Sequence, residues 1–151
     1  MSGSHAAAES ARRFLDAVLW GKHHDVWALL SPAAKSASLA VAERNGLDVL
    51  VAARARAGTW TDQEADNLLA DLVRGLRADL ASVELADIIV GEPLADGYVM
   101  GISVTVTMTV PSLLPDAVTG GEGWAAGTID MVHTPTGWLV DRLNARRVWR
   151  P

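Results

Sequence analysis

Apolar and hydroxyl-bearing residues alternate along the segment from Tyr98 to Val110. Because successive side chains on a strand point to opposite faces, this period of two predicts one long antiparallel strand with an apolar face and a hydroxyl face. The hydroxyl face carries Ser103, Thr105, Thr107 and Thr109. The apolar face has to be covered, so the chain is expected to form a sheet that packs against other elements.

Helical periodicity dominates the front half of the chain. A first helix is predicted over about Ala6–Trp20, with Gly21 as its end, and a second helix over Asp25–Leu30. Ser31 followed by Pro32 has the pattern of an N-cap with proline at the first helical position, so a further helix is expected to begin there.

The middle of the chain, Ser36–Ala57, is alanine-rich and is interrupted at Asn45–Gly46, which predicts two short helices. Thr61 and Glu64 then form the pattern of a capping box ahead of the clearest amphipathic helix. Gly75 lies inside this helix at a cost of about 1 kcal/mol relative to alanine. Either another element approaches Gly75 closely, or the glycine is simply tolerated.

The back half of the chain changes to a period of two. Strands are predicted over Val83–Glu92, Tyr98–Val110, Glu122–His133 and Gly137–Val148. Their short connections make consecutive strands antiparallel neighbours, and the longest loop, Pro111–Gly121, is of the kind that often rims a site. Helices followed by strands predict an α+β fold in a single domain over residues 1–151, helical over 5–82 and with strands over 83–148.

Composition excludes several classes of function. The absence of cysteine rules out disulfides and thiolate zinc sites, and a formal net charge of −5 argues against nucleic-acid binding. We expect the four arginines after residue 141 to form a solvated edge. The first eight residues show neither a signal peptide nor a membrane anchor, so a cytoplasmic location is expected, and the alanine and arginine bias is typical of a GC-rich bacterial genome.

Three segments carry a resemblance to a known superfamily: Ala11–Ala17 in the first helix, the Leu29–Pro32 step and the closing strand Gly137–Leu143. With the order of helices and strands, they resemble the nuclear transport factor two-like superfamily, in particular its bacterial polyketide-cyclase-like branch. The resemblance implies a cone fold, in which a curved antiparallel sheet of four or more strands wraps over N-terminal helices. The chain departs from that pattern at Ser36–Ala57, where members usually have a short strand or hairpin.

The cone fold implies a pocket between helices and sheet, and the last hairpin indicates which acid would face it. A three-residue loop, Thr134–Thr136, places Ile129 opposite Asp141, so that Asp141 lies among apolar residues and Asp130 on the other face, diagonal to Arg142. A two-residue loop instead sets Asp130 directly across from Asp141. We favour the first register because it separates apolar from polar residues.

Asp141 is the candidate catalytic residue. A carboxylate held among aliphatic side chains is disfavoured in its charged form and can act as a general acid or base. The structural alternative is that Asp141 caps a helix end or pairs with Arg12 or Arg13. Limonene epoxide hydrolase and ketosteroid isomerase share the implied fold and would cast Asp141, Asp130 and Tyr98 in catalytic roles, but only Asp141 is expected at a pocket.

Aromatic residues supply the candidate ligand pocket, since the chain has 6 tryptophans against one phenylalanine and one tyrosine. The candidate pocket residues are Trp20, Trp27, Tyr98, Trp124, Met131 and Trp138. The alternative is that the indoles fill volume in an alanine-rich core. His23 and His24 are adjacent and are not expected to share a face, so no metal and no cofactor are predicted.

No catalytic signature selects a function. The leading hypothesis is a homodimeric binder of a small hydrophobic molecule, with the hydroxyl face of the long strand as the dimer contact. One alternative is a cofactor-independent isomerase, cyclase or hydrolase that uses Asp141 as acid or base. A second is a protein-interaction module with no open pocket. Whether the protein is an enzyme is left open, and neither nucleic acid nor membrane is expected as a partner.

Overall fold

The predicted α+β class is confirmed. A computed structural model describes residues 2–81, 85–93, 103–110 and 124–145. Its helices are α1 (Ser2–Leu19), α2 (His23–Ala28), α3 (Pro32–Arg44), α4 (Val49–Ala57) and α5 (Asp62–Asp79). After a 3₁₀ turn at Leu85–Asp87 come the strands β1 (Ile89–Pro93), β2 (Ser103–Val110), β3 (Trp124–Thr134) and β4 (Gly137–Ala145). The strands form one curved antiparallel sheet in the order β1-β2-β3-β4.

The ends of the helices follow local signals. Gly21 ends α1 with a φ of 68°, and its N–H donates to the Val18 carbonyl while the Lys22 N–H donates to the Ala17 carbonyl, 3.3 and 2.9 Å away. These two bonds satisfy carbonyl groups in the last turn of the helix. They require a residue with a left-handed backbone conformation, which glycine adopts freely. Ser31 caps α3 through a 3.1 Å bond from the Ala34 N–H.

The middle of the chain is helical, as the alanine-rich pattern predicts. Helix α3 ends at Asn45, where the Leu47 N–H donates to the Ala42 carbonyl over 2.9 Å, and α4 begins after its N-cap Asp48. The break at Asn45–Gly46 is therefore confirmed. Thr61 and Glu64 form the predicted capping box at the start of α5.

The strand predictions need two corrections. The segment Leu85–Asp87 forms a 3₁₀ turn rather than strand, so β1 begins only at Ile89. The hairpin between β3 and β4 pairs Thr134 with Gly137, so its loop has two residues and the preferred three-residue register is wrong. Tyr98 and the loop Pro111–Gly121 lie outside the described residues.

A β-bulge in the last hairpin decides where its acids lie. The ladder runs from Thr134–Gly137 to Met131–Val140 and then shifts, so that Asp130 pairs with Arg142. The extra residue on β4 is Asp141, which the bulge leaves outside the paired positions. Asp130 and Asp141 are therefore not directly opposite one another, although the turn has the two-residue loop that would have placed them so.

Helix α1 covers the inner face of the sheet and contacts all four strands. Phe14, Leu15 and Val18 of α1 are fully buried in the same cluster as alternate residues of the sheet. The sheet residues in this cluster include Val104, Val106, Met108, Ile129, Met131 and Val140. None of the helices in the described part of the chain is long and apolar enough to cross a membrane.

Candidate functional site

The candidate catalytic acid, Asp141, lies at the junction of β4 and α3. Its side chain accepts a 2.7 Å hydrogen bond from the hydroxyl of Ser31, which itself accepts from the Ala34 N–H. Ser31 is buried, at 1% exposure, whereas Asp141 is exposed. The prediction that Asp141 is held among apolar side chains is therefore wrong, because the bulge leaves it at the surface. The acid supports the cap of α3 through Ser31, and its catalytic role stays a prediction.

The second acid of the last hairpin, Asp130, faces the hydroxyl side of the sheet. Its carboxylate accepts from the hydroxyl of Thr105 at 2.8 Å and from the amide nitrogen of Asn144 at 3.2 Å. The same amide nitrogen also donates to the Thr128 hydroxyl at 3.3 Å. These neutral donors hold Asp130 within the sheet surface, away from Asp141.

The candidate pocket residues do not line one space. Trp20 is 72% exposed at the end of α1, whereas Met131 and Trp138 are buried in the core at 1% and 7%. The ring of Trp138 contacts that of His133 at a tilt of 43°, with ring centroids 4.9 Å apart. Trp124 begins β3, and its side chain, like all of Tyr98, lies outside the described part of the structure.

Of the candidate pocket residues whose side chains the structure describes, only Trp27 lines a large cleft, and this cleft lies among helices α3, α4 and α5. Its volume is about 860 Å³, and its walls are α3, the start of α4 and α5. Its aliphatic lining includes Val41, Leu47, Val51, Leu68, Leu72 and Leu76. The sequence places a pocket beneath the sheet, whereas the residues of α1 that face the sheet are fully buried there.

Trp27, which lines the cleft, contacts a second indole and a cation. The rings of Trp27 and Trp60 lie 5.5 Å apart, and the ammonium of Lys35 sits 5.7 Å from the centre of the Trp27 ring. Trp60 is a residue that the sequence did not single out, although it lies directly before the capping box.

Carboxylates on α5 line the same cleft. They are Glu64, Asp71 and Asp79. Arg54 of α4 binds Glu64 with both ends of its guanidinium, and this contact, followed by the Thr61 N–H, lowers the pKa of Glu64 to about 2. The Asp71 carboxylate accepts from Arg74 at 2.6 Å.

Gly75 lies on the α5 wall of the cleft. Among the described residues, nothing lies within 4 Å of a Cβ added at this position, so no described element requires the glycine. The close approach that the sequence left open is therefore absent at this position. The glycine leaves open space where almost any other residue would project into the cleft.

His23 and His24 meet a single carboxylate, which corrects the expectation that neighbouring histidines diverge. Their Nε2 atoms lie 3.2 and 2.7 Å from Oδ1 of Asp66 on α5. The donor atoms of this His-Asp cluster all lie within 4.8 Å of one another. The hydrogen bonds from His24 and then His23 hold the pKa of Asp66 below its ordinary value.

The reason for the convergence is the position of the two histidines in the first turn of α2, a helix that packs directly on α5. Long side chains from successive positions can then reach the same atom on the facing helix. The spacing rule for one helix face does not extend to contacts with a second helix.

Comparison with known proteins finds no match: no family model, no curated protein and no solved structure is similar to this chain at the level that identifies a relative.

Proposed function

We propose that this protein binds a small hydrophobic molecule in the cleft between α3, α4 and α5. The observation that carries the proposal is the cleft of about 860 Å³ with its aliphatic lining. Cavities of about 300–1,000 Å³ with apolar walls and a few polar groups are typical small-molecule sites. The ligand class is the one expected from the sequence, but the proposed site lies among the helices rather than beneath the sheet.

The charges of the cleft indicate what polar group the ligand carries. Three carboxylates line it: Glu64 is ion-paired with Arg54 and Asp71 with Arg74, whereas Asp79 has no ion pair among the described residues. Burying an anionic group beside Asp79 is unfavourable because like charges repel. The ligand is therefore a hydrophobic molecule whose polar group is neutral or cationic.

Gly75 supports the proposal independently of the volume. A glycine inside a helix costs about 1 kcal/mol relative to alanine, and no contact from the described residues offsets that cost. Departures from local propensity of this kind are expected at functional sites. At this position a glycine keeps bulky side chains out of the cleft.

The hydroxyl face of the sheet is the proposed dimer contact, as in the superfamily that the chain resembles. On that face Thr105 and Asn144 hydrogen-bond the carboxylate of Asp130, and Ile89 is 55% exposed on the edge strand. A surface whose acid is already satisfied costs less to cover than one with free charges. That the chain is a member of the nuclear transport factor two-like superfamily is part of the same proposal.

A pair of Gly75 variants tests the cleft. Nile red, a neutral apolar dye, is titrated into the purified chain and into Gly75→Phe and Gly75→Ala, and the dye fluorescence gives the affinity. Gly75→Phe is expected to weaken binding by at least about tenfold, because its ring takes up space in the cleft. Gly75→Ala adds one methyl group and is expected to bind within about threefold of the parent chain.

Equal affinity for all three chains contradicts the proposed site, and so does a parent chain that does not bind the dye. The dimer is tested separately by sedimentation equilibrium. Thr107→Arg places a charge in the middle of the hydroxyl face and is expected to shift a dimer to monomer, while a monomeric parent chain contradicts the contact.

A further inference from the structure

The His-Asp cluster lies apart from the cleft and has donor atoms of a kind that transition metals bind. Its atoms are two imidazole nitrogens and one carboxylate oxygen, from His23, His24 and Asp66. The side chains of His24 and Asp66 are 62% and 55% exposed, and that of His23 is 30% exposed, so an ion reaches the cluster from solvent.

The distances between the donor atoms suit a single ion. Zinc holds imidazole nitrogen and carboxylate oxygen at about 2.0–2.2 Å, so two of its donors in a tetrahedral site lie about 3.4 Å apart. The two nitrogens of the cluster are 3.2 and 2.7 Å from the Asp66 oxygen, and all donor atoms lie within 4.8 Å. A bound ion would hold the two nitrogen–oxygen pairs slightly farther apart than they are here.

The backbone around the cluster is held by a second contact from the same helix. Arg77 of α5 donates from Nε to the Val18 carbonyl at 3.0 Å and from Nη2 to the Leu19 carbonyl at 2.6 Å. Arg77 and Asp66 are about three helical turns apart and so lie on the same side of α5. Through Arg77 this side of α5 fixes the end of α1. Through Asp66 it contacts the two histidines that follow the turn at Gly21.

The chemistry of the donors selects the class of ion. Calcium and magnesium prefer oxygen ligands, whereas imidazole suits zinc and its neighbours in the first transition row. Three protein ligands leave a further coordination position for water, which is the arrangement of an open zinc site rather than a closed structural one.

We propose that His23, His24 and Asp66 form a binding site for one divalent transition-metal ion, with Zn²⁺ as the ion that fits best. Both imidazoles bind through Nε2 and Asp66 through its carboxylate, and water completes the coordination. The ion bridges α2 and α5, so its binding stabilises the packing of these two helices.

Isothermal titration calorimetry with zinc chloride tests the proposal on the full chain, without an affinity tag and after removal of bound metal with a chelator. The parent chain is expected to bind one Zn²⁺ per chain and to gain thermal stability from it. His24→Gln and Asp66→Asn are each expected to weaken binding by at least about tenfold, since even the groups that orient metal ligands contribute 10–100-fold.

The matched control is His133→Gln, which removes an exposed imidazole that contacts Trp138 outside the cluster. This variant is expected to bind Zn²⁺ as the parent chain does. The proposal is overturned if the parent chain shows no stoichiometric binding, or if the cluster variants bind as tightly as the parent. A loss of affinity in His133→Gln equal to that in the cluster variants also overturns it.

X-ray absorption of the zinc complex gives a readout that a purely structural role of the cluster does not produce. The expected spectrum has nitrogen and oxygen neighbours only, with the multiple-scattering pattern of two imidazoles. A spectrum with one imidazole or none contradicts the assigned ligands.

Discussion

Helix α1 with the sheet, here called the sheet layer, and helices α3, α4 and α5, here called the helical layer, bury their side chains very differently. Helix α1 has Phe14, Leu15 and Val18 at 0% exposure against the sheet. Helices α3 and α4, among the side chains that the structure describes, fully bury only Leu39 and Ala52. On α4, Val49 and Leu50 are 68% and 66% exposed.

This difference in burial determines where the fold has room for a ligand. An amphipathic helix with large residues at steps of three and four fills the surface that it covers, as α1 does beneath the sheet. An alanine-rich segment has few large side chains to bury, so α3 and α4 leave a cleft beside α5. The sheet layer therefore carries the stability of the fold, and the helical layer carries the proposed site.

The loss of stability caused by truncating a large side chain is expected to differ strongly between Phe14 of the sheet layer and Leu68 of the helical layer. Phe14→Ala is expected to lower the free energy of unfolding by about 3–5 kcal/mol, because it leaves a cavity in a fully buried cluster. Leu68→Ala, in the wall of the cleft, is expected to cost less than about 1.5 kcal/mol. Urea denaturation followed by circular dichroism measures both, and equal losses contradict the contrast between the layers.

A glycine in the sheet gives the next largest effect. Gly127 has a φ of 133°, and an added Cβ would lie 2.0 Å from the Asn144 carbonyl oxygen. Gly127→Ala is therefore expected to lower the free energy of unfolding by about 1–3 kcal/mol or more. An unchanged urea midpoint for this variant would show that β3 and β4 separate there without cost.

The glycine of the helical layer is expected to respond in the opposite direction. Gly75→Ala adds a methyl group in open space and improves helix propensity, so we expect a gain of about 1 kcal/mol in the free energy of unfolding. The same urea titration measures it. A loss of stability would mean that something packs on Gly75 and that this wall of the cleft is not open.

The smallest expected effect concerns the junction of the two layers. Asp141→Ala removes the acceptor of the Ser31 hydroxyl and is expected to cost about 0.5–1.5 kcal/mol. Asp141→Asn keeps an acceptor oxygen and serves as the control, with a smaller loss. If alanine and asparagine give the same urea midpoint as the parent chain, the bond does not support the cap of α3.

Local signals in the sequence predict much of this fold. The break at Asn45–Gly46, the cap at Ser31 and the box at Thr61 each depend on a few neighbouring residues, and all three are present in the structure. The strand alternation likewise predicts which residues of β2 are buried: Val104, Val106 and Met108. Such features follow from backbone geometry and hydrogen bonding within one element.

The features that could not be predicted from the sequence depend on contacts between different helices and strands. The bulge at Asp141 shifts the pairing of β3 and β4, and no residue of the hairpin predicts it. His23 and His24 reach Asp66 only because α2 packs on α5, more than forty residues away in sequence. The cleft is equally non-local, because its walls come from α3, α4 and α5.

The indole N–H signals of a ¹H–¹⁵N spectrum distinguish a ligand bound in the cleft from one bound beneath the sheet, because Trp27 lines the cleft and Trp138 is buried in the sheet layer. Titration with a neutral apolar probe such as Nile red is expected to shift the Trp27 signal saturably and to leave the Trp138 signal in place. A saturable shift of Trp138 with no change at Trp27 would contradict the account, since the ligand would then enter beneath the sheet.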